Sequence, residues 1–251
     1  MQEQDRTYIY GLHPVREALK RLPEAVKHLY VVSGNDAEEF AEQARQHKIP
    51  FDRCDEDHLP YGLERGVTHQ GVVALVAPSR IIRPYKDFIE ELTVTNGTGL
   101  VLLDELTDPH NVGAIIRSAA AFGISGVLIP EYRQAQVNGT IVKVSAGMAF
   151  VVPLVQVGNV NTTLRDLKDR GFWVYGLTGG GETDITREQF TKPSVFVLGN
   201  EGYGLREKTE ELCDFRLSIP ITEDCESLNV SASAAVTFYA WCAYKQSLGT
   251  E

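Results

Sequence analysis

Apolar residues follow two rhythms along the chain. From Gly99 onward, continuous apolar runs alternate with longer stretches of helical spacing. Leu100-Val101-Leu102-Leu103 and Gly126-Val127-Leu128-Ile129 are such runs, as in strands covered on both faces. Between them Asp108-Pro109 gives an N-cap followed by proline at the first helical position. Ile115, Ile116, Ala119 and Phe122 continue that helix, and Gly123 stops it. The succession predicts a βαβ unit and hence a parallel sheet. Further strands are expected at 150–155, 172–177, 194–198 and 215–219. The last helix, from Asn229, is apolar almost all round through Val236, Phe238, Tyr239, Trp241 and Tyr244, so it should be buried on most sides.

Residues 7–77 keep a shorter rhythm. Tyr8-Ile9-Tyr10 precedes a helix through Pro14, Ala18, Leu19 and Lys20. Leu29-Tyr30-Val31-Val32 precedes an alanine- and glutamate-rich helix over 36–47, and 70–77 is a final β-like run. This predicts a small α/β domain. Pro78, Pro84, Asn96 and Gly97 interrupt any sustained pattern before Leu100. The expected organisation is a domain at 1–79, a linker at 80–98 with one short helix around 85–92, and a larger α/β domain at 99–251.

Composition narrows the class. Of 251 residues, 43% are hydrophobic, enough for a real core. No apolar run reaches bilayer length, and the first residues show no signal pattern, so no membrane and a cytoplasmic location are expected. Cys54, Cys213, Cys225 and Cys242 form no CxxC pair and read as reduced thiols, and the six scattered histidines give no metal motif. The net charge is −10. Residues 1–79 carry 9 basic and 13 acidic side chains, and residues 99–251 carry 12 and 18. Binding to phosphates favours a basic surface, so any nucleic-acid contact must use a local patch. Charge alone points to a small-molecule enzyme.

Three segments carry candidate chemistry. In the first, Leu103 to Ala119, a polar turn leaves the carboxyl end of a parallel strand, where open α/β sheets bind ligands. Asn111 falls in the first helical turn and Arg117 nearly two turns in; a capped helix with solvated polar groups is the plain alternative. In the second, Val195-Phe196-Val197-Leu198 opens into Gly199-Asn200-Glu201-Gly202-Tyr203-Gly204. Its glycines permit close backbone approach and positive φ. It is neither a Walker loop nor GxGxxG, and a simple strand–turn–helix corner explains it equally well. In the third, Leu217-Ser218-Ile219-Pro220-Ile221 leads through 222–226 to Ser227-Leu228-Asn229-Val230-Ser231, with Ser227 as a possible N-cap.

Taken in this order, Asp108-Pro109-His110-Asn111-Val112-Gly113 with Arg117-Ser118-Ala119, Leu198-Gly199-Asn200-Glu201-Gly202, and Ile219-Pro220 with Ser227-Leu228-Asn229-Val230-Ser231 resemble the SpoU (TrmH) family of RNA ribose 2′-O-methyltransferases, within the SPOUT superfamily. Residues 7–77, ending in Thr68-His69-Gln70-Gly71-Val72, resemble the ribosomal-protein-like RNA-binding domain that some members carry. The resemblance implies a parallel-sheet domain with a deep trefoil knot, a homodimer, and S-adenosylmethionine as methyl donor. The implied substrate is structured RNA, most readily a guanosine of large-subunit (23S) rRNA. A tRNA D-loop guanosine and a non-catalytic RNA-binding ribosome-assembly factor are the competing readings. By resemblance, backbone around Thr178, Gly199, Ile219 and Leu228 holds the donor, while Asn111, Glu201, Ser227 and Asn229 shape the catalytic site. Arg117 matches the arginine often assigned as proton acceptor. A guanidinium does not give up its proton at ordinary pH, so an electrostatic role is the alternative. Arg16, Lys20, Arg21 and Arg65 are candidates for an RNA-binding patch, or for a solvated helix face.

Overall fold

In a computed structural model of the chain, the described residues are 5–249 except 33, 35, 56–59, 61, 62 and 64–67. In chain order the elements are β1 (Thr7–Tyr10), α1 (Leu12–Arg21), β2 (Val26–Val32), α2 (Ala37–Gln46), β3 (Phe51–Cys54), β4 (Val72–Val76), α3 (Pro78–Ile81), β5 (Ile82–Pro84) and α4 (Tyr85–Glu91). There follow β6 (Gly99–Leu103), α5 (Pro109–Ala121), β7 (Gly126–Pro130), α6 (Gly139–Val144), β8 (Leu154–Val157), α7 (Val160–Asp169) and β9 (Trp173–Leu177). The remainder comprises β10 (Thr183–Asp184), β11 (Ser194–Leu198), α8 (Glu207–Glu210), β12 (Phe215–Ser218) and α9 (Val230–Ser247). The chain forms two compact units, residues 1–82 with 137–151, and residues 83–136 with 152–251.

The first unit holds a four-stranded sheet of order β1-β4-β2-β3, antiparallel except for the β2–β3 pair. Alternation sorts its faces. Ile9, Leu29 and Val31 are buried, as are Val15, Ala18 and Leu19 of α1 and Phe40, Ala41 and Ala44 of α2. The strand β3 had no clear apolar run; its ends are only half-buried and its two middle residues exposed. Residues 137–151 belong to this unit through contacts remote in sequence. At Gly139 a Cβ would sit 2.1 Å from the Tyr8 carbonyl oxygen, so only glycine fits there. The Lys143 ammonium lies 4.7 Å from the Tyr10 ring centroid and donates to the Thr68 carbonyl at 3.1 Å.

The second unit holds an eight-stranded sheet of order β10-β12-β9-β11-β6-β7-β8-β5, with parallel pairing from β10 through β8. The continuous apolar runs are its central strands, and every residue of β6, β7 and β11 is buried. On one face Leu100, Leu102, Val195 and Val197 pack with Leu164 and Leu167 of α7. On the other, Phe196 meets Phe238 and Trp241 of α9 at ring-centroid distances of 5.9 and 6.3 Å. The stretch expected as a linker is not loose chain, because β5 joins the sheet edge and Phe88 and Ile89 of α4 are buried in this core. Its prolines sit where they begin α3, end β5 and precede α4. Residues 150–153, read as the start of a strand, fall outside β8, which begins at Leu154. The helix α9 also departs from expectation, because Val236 and Tyr239 on one stripe are exposed.

Candidate active site

The carboxyl ends of β9, β11 and β12 lie side by side, in register at Val197↔Gly176 and Leu217↔Leu177. From β6 the chain winds outward to β7 and β8, then returns to lay β9, β11 and β12 on the other side. The reversal at the β6–β11 pair is a topological switch point, where ligands settle beyond the strand ends. A cleft of about 500 Å³ opens there, within the range of small-molecule sites.

Three loops build it. The turn after β6 ends at Asp108, whose Oδ1 accepts from the His110 backbone N–H at 2.8 Å and caps α5. That cap places Asn111 in the first turn, with its side chain turned inward; the residue is only 9% exposed. The loop after β11 folds back on itself, with Asn200 and Gly204 exchanging backbone hydrogen bonds of 2.9 Å. Gly199 must be glycine, because a Cβ would lie 2.3 Å from the Gly204 carbonyl carbon. Gly204 takes φ +76°, in the region that favours glycine. The third loop follows β12 and ends at Asn229. Asn229, not Ser227, is the N-cap of α9, its Oδ1 accepting from the Ser231 backbone N–H at 2.9 Å and from the Ser231 hydroxyl at 2.6 Å.

The loops meet in one chain of hydrogen bonds. Asn229 Nδ2 donates to Asn111 Oδ1 at 3.0 Å, and Asn111 Nδ2 donates to Glu201 Oε1 at 2.9 Å. Each amide thus has its orientation fixed by the next group, and the relay ends on a carboxylate that is otherwise open to solvent. Glu201, Ser227 and Asn229 line the cleft. So do Thr178, Gly199, Ile219 and Leu228, the residues expected around an adenosyl donor. The fit to such a group is chemical as well as spatial. Thr178 Oγ1 is buried without a hydrogen-bond partner, and Ile219, Ile221 and Leu228 offer apolar surface beside it. A buried hydroxyl without a partner costs free energy that a polar ligand atom would recover.

Other expected residues lie apart. Arg117 is exposed on α5, with no hydrogen bond or ion pair among the described residues. Six residues beyond Asn111, it points roughly 240° around the helix, away from the relay. On α1, Arg16 is bound at 2.8 Å by both Asp36 and Glu39, and Arg21 by Glu17 at 3.3 Å. Of the four cations proposed for an RNA patch, Lys20 is exposed and has no such partner among the described residues, and Arg65 lies outside them. Among the described residues, no group of three or more His, Cys, Asp or Glu could hold a metal ion.

A second network supports the relay from behind, and nothing in residue spacing announced it. Asp104, fully buried, is bound by Arg206 through Nη2–Oδ1 at 2.5 Å and Nε–Oδ2 at 3.2 Å. Arg206 also reaches Glu105 Oε1 at 3.2 Å. The Tyr203 hydroxyl donates to the other Glu105 oxygen, and Asn200 Nδ2 donates to the Glu105 carbonyl at 2.8 Å. Hydrogen bonding from Tyr203, reinforced against burial by Arg206 and Arg133, holds the Glu105 carboxyl below its ordinary 4.5. The loop carrying Glu201 is therefore tied to the loop preceding Asn111. The one sequence signal was the strand end itself, where Asp104 and Glu105 directly follow an all-apolar run.

Known proteins resemble the chain in sequence and in fold. Residues 99–239 match the SpoU rRNA Methylase family, and residues 8–82 match a family described as RNA 2′-O ribose methyltransferase substrate binding. The chain is 38% identical over 231 residues to the 23S rRNA (guanosine-2′-O-)-methyltransferase RlmB of Neisseria meningitidis serogroup B, covering 91% of each. It is 39% identical to the protein of that name from Xanthomonas campestris pv. campestris, covering 96% of this chain and 97% of that one. Among solved structures, the SpoU methyltransferase AviRb from Streptomyces viridochromogenes superposes with a TM-score of 0.82 at 26% identity, over 98% of this chain and 92% of that one. Its complex with AdoMet gives a TM-score of 0.80 at 24% identity, over 97% of this chain and 92% of that one.

Proposed function

Since the chain belongs to the SpoU rRNA methylase family, we infer that it is an S-adenosylmethionine-dependent enzyme that methylates the ribose 2′-hydroxyl of a guanosine in 23S rRNA. The observation that carries the mechanism is the Asn229–Asn111–Glu201 relay at the mouth of the cleft. When bound, S-adenosylmethionine supplies an electrophilic methyl group. The task left to the protein is to orient one hydroxyl and to ease the loss of its proton.

In this reading Thr178, Gly199, Ile219 and Leu228 hold the adenosyl group. Glu201 accepts a hydrogen bond from the ribose through the oxygen that Asn111 leaves free. Asn111 and Asn229 keep that carboxylate in place, and Ser227 stands beside them on the cleft wall. Arg117 keeps its proton and acts electrostatically, countering charge on the target phosphate and the developing alkoxide. Its position on the far side of α5 supports a role across a subunit boundary.

The reading includes a homodimer, a deep trefoil knot and a cytoplasmic site of action. The exposed apolar stripe of α9, Val236 and Tyr239, with Phe122 packed at 5.9 Å from Tyr239, supports a second copy on that face. The return of the chain to lay β12 beyond β9 supports the knot. Residues 1–79 act as the RNA-binding domain, a role supported by the family match at 8–82. No helix among the described residues is long and apolar enough to cross a membrane.

The test is direct. The protein is incubated with labelled S-adenosylmethionine and, in parallel, unmodified 23S rRNA and tRNA transcripts, and 2′-O-methylated positions are mapped. A single methylated guanosine is expected. Methylation of tRNA alone would overturn the target, and transfer to no RNA would overturn the enzymatic reading.

A further inference from the structure

Tyr203 stands out from its surroundings. It is the sole large side chain of the loop Gly199–Gly204, and it is 59% exposed. It is not among the residues lining the cleft, although its neighbours Gly202 and Gly204 are. An exposed tyrosine is ordinarily free to rotate, but the hydroxyl of this one is fixed on Glu105.

The anchor is unusually well made. Glu105 is nearly buried and sits at φ +64°, a conformation that disfavours a residue with a side chain. Arg206 holds one of its carboxylate oxygens at 3.2 Å, and the neutralised pair Asp104–Arg206 lies behind it. Arg133, itself at φ +55°, touches the same oxygen at 3.4 Å while its side chain remains 78% exposed. A left-handed glutamate is thus met by a left-handed arginine. Strain of this kind is retained where surrounding contacts hold it, and it gathers at ligand clamps. What it holds here is an aromatic face, turned outward, with a largely exposed guanidinium on the same anchor.

An exposed ring and an exposed guanidinium held on one carboxylate match the chemistry of an unpaired nucleotide. Bases stack on aromatic side chains, and guanidinium groups take the phosphate. The loop that presents the ring also carries Glu201, two residues away. We propose that Tyr203 is a preorganised stacking platform for a base of the RNA next to the methylated nucleotide, with Arg133 as its phosphate contact and Glu105 as the anchor that fixes both. The proposal rests on the RNA methyltransferase reading and adds the residues that grip the substrate beside the reacting hydroxyl. Both partners sit outside the donor cleft, so they should govern RNA affinity and not donor affinity.

The full-length protein is assayed on unmodified 23S rRNA transcript, with donor affinity measured separately by calorimetry. Tyr203→Ala is expected to raise the KM for RNA about 5- to 100-fold, the range for loss of one base–aromatic stack, while donor affinity stays within about twofold. Tyr203→Trp keeps a stacking face but loses the hydroxyl anchor, and is expected to restore part of the RNA affinity. Arg133→Ala should raise the KM for RNA and flatten its salt dependence by about one phosphate contact. An unchanged KM in Tyr203→Ala would overturn the proposal. So would Tyr203→Trp behaving like Tyr203→Ala, or a parallel loss of donor affinity, which would show the ring merely holding the loop. Wild-type protein that methylates no 23S rRNA would instead defeat the underlying reading, an outcome visible before any variant is made.

Discussion

Both units of the molecule are rich in arginine–carboxylate contacts, yet the contacts do different jobs. On α1 and α2 of the first unit, Arg16 meets Asp36 and Glu39, and Arg45 meets Glu38 and Glu42, all with a third or more of each side chain in solvent. Water competes for every one of these groups, and such pairs contribute little stability. At the strand ends of the second unit, Arg206 grips an Asp104 that no water reaches. There the pairing is obligatory, because a buried carboxylate without its partner is costly. Similar residue types therefore make a solvated surface in one place and a buried mount for the loops of the cleft in the other. Burial decides which.

The sharpest way to break that contrast is to remove Arg206. Arg206→Ala strands the Asp104 carboxylate in the interior and should cost about 3–5 kcal/mol of stability, read as a fall in the denaturant midpoint. Asp104→Ala leaves an arginine that is 38% exposed and can turn to water, so it should cost less. Equal losses in the two variants would mean that Asp104 is not the trapped partner.

Asn111→Ala comes next. It cuts the relay between Asn229 and Glu201 without touching Thr178, Gly199, Ile219 or Leu228, the cleft residues proposed to hold the donor. The expected result is a fall in kcat of about 10²-fold, typical of a misplaced reacting group, with donor affinity nearly unchanged. If donor affinity fell by as much as kcat, the relay would be supporting the cleft and not orienting the substrate.

Acid titration offers a smaller effect with a defined sign. The Glu105 carboxyl is held below 4.5, first of all by the Tyr203 hydroxyl. A lowered carboxyl contributes stability above its unfolded value and loses it as pH falls through the folded one. Tyr203→Phe removes the largest cause and returns the carboxyl toward 4.5. The Tm difference between wild type and Tyr203→Phe should be steady near neutral pH and shrink below about pH 4.5. A gap that stays constant down to pH 3 would show that Glu105 does not respond to Tyr203.

The contrast also explains what the sequence discloses. Central strands are legible because burial on both faces leaves only apolar residues, as in β6, β7 and β11. Asp108 as N-cap and Gly123 as stop are legible because the geometry is local. Asn111, Glu201 and Asn229 are legible through their motifs, but their hydrogen-bonded order is not, since partners 90 and 118 residues apart leave no spacing signal. The Arg206–Asp104 clamp spans 102 residues and is silent for the same reason. The pairing of α6 with β1 depends on Gly139 meeting one carbonyl, which no periodicity encodes. Arg16 reads as free charge because its acidic partners, Asp36 and Glu39, lie 20 and 23 residues away.

The basic residues of α1 yield the smallest expected effect and the cleanest control. Arg16→Ala removes a guanidinium already matched by two carboxylates, along with a cation–π contact 5.5 Å from the Phe40 ring centroid. It should cost less than about 1 kcal/mol of stability. RNA affinity should change little, because binding RNA through Arg16 would first require breaking its own ion pairs. Lys20 has no such partner among the described residues, so Lys20→Ala should reduce the salt dependence of RNA binding by about one phosphate contact if this face meets RNA at all. The pair of variants separates charge from available charge. Should Arg16→Ala weaken RNA binding more than Lys20→Ala, the acidic partners on α2 must swing away in the complex, and the solvated surface of the first unit would be a working interface after all.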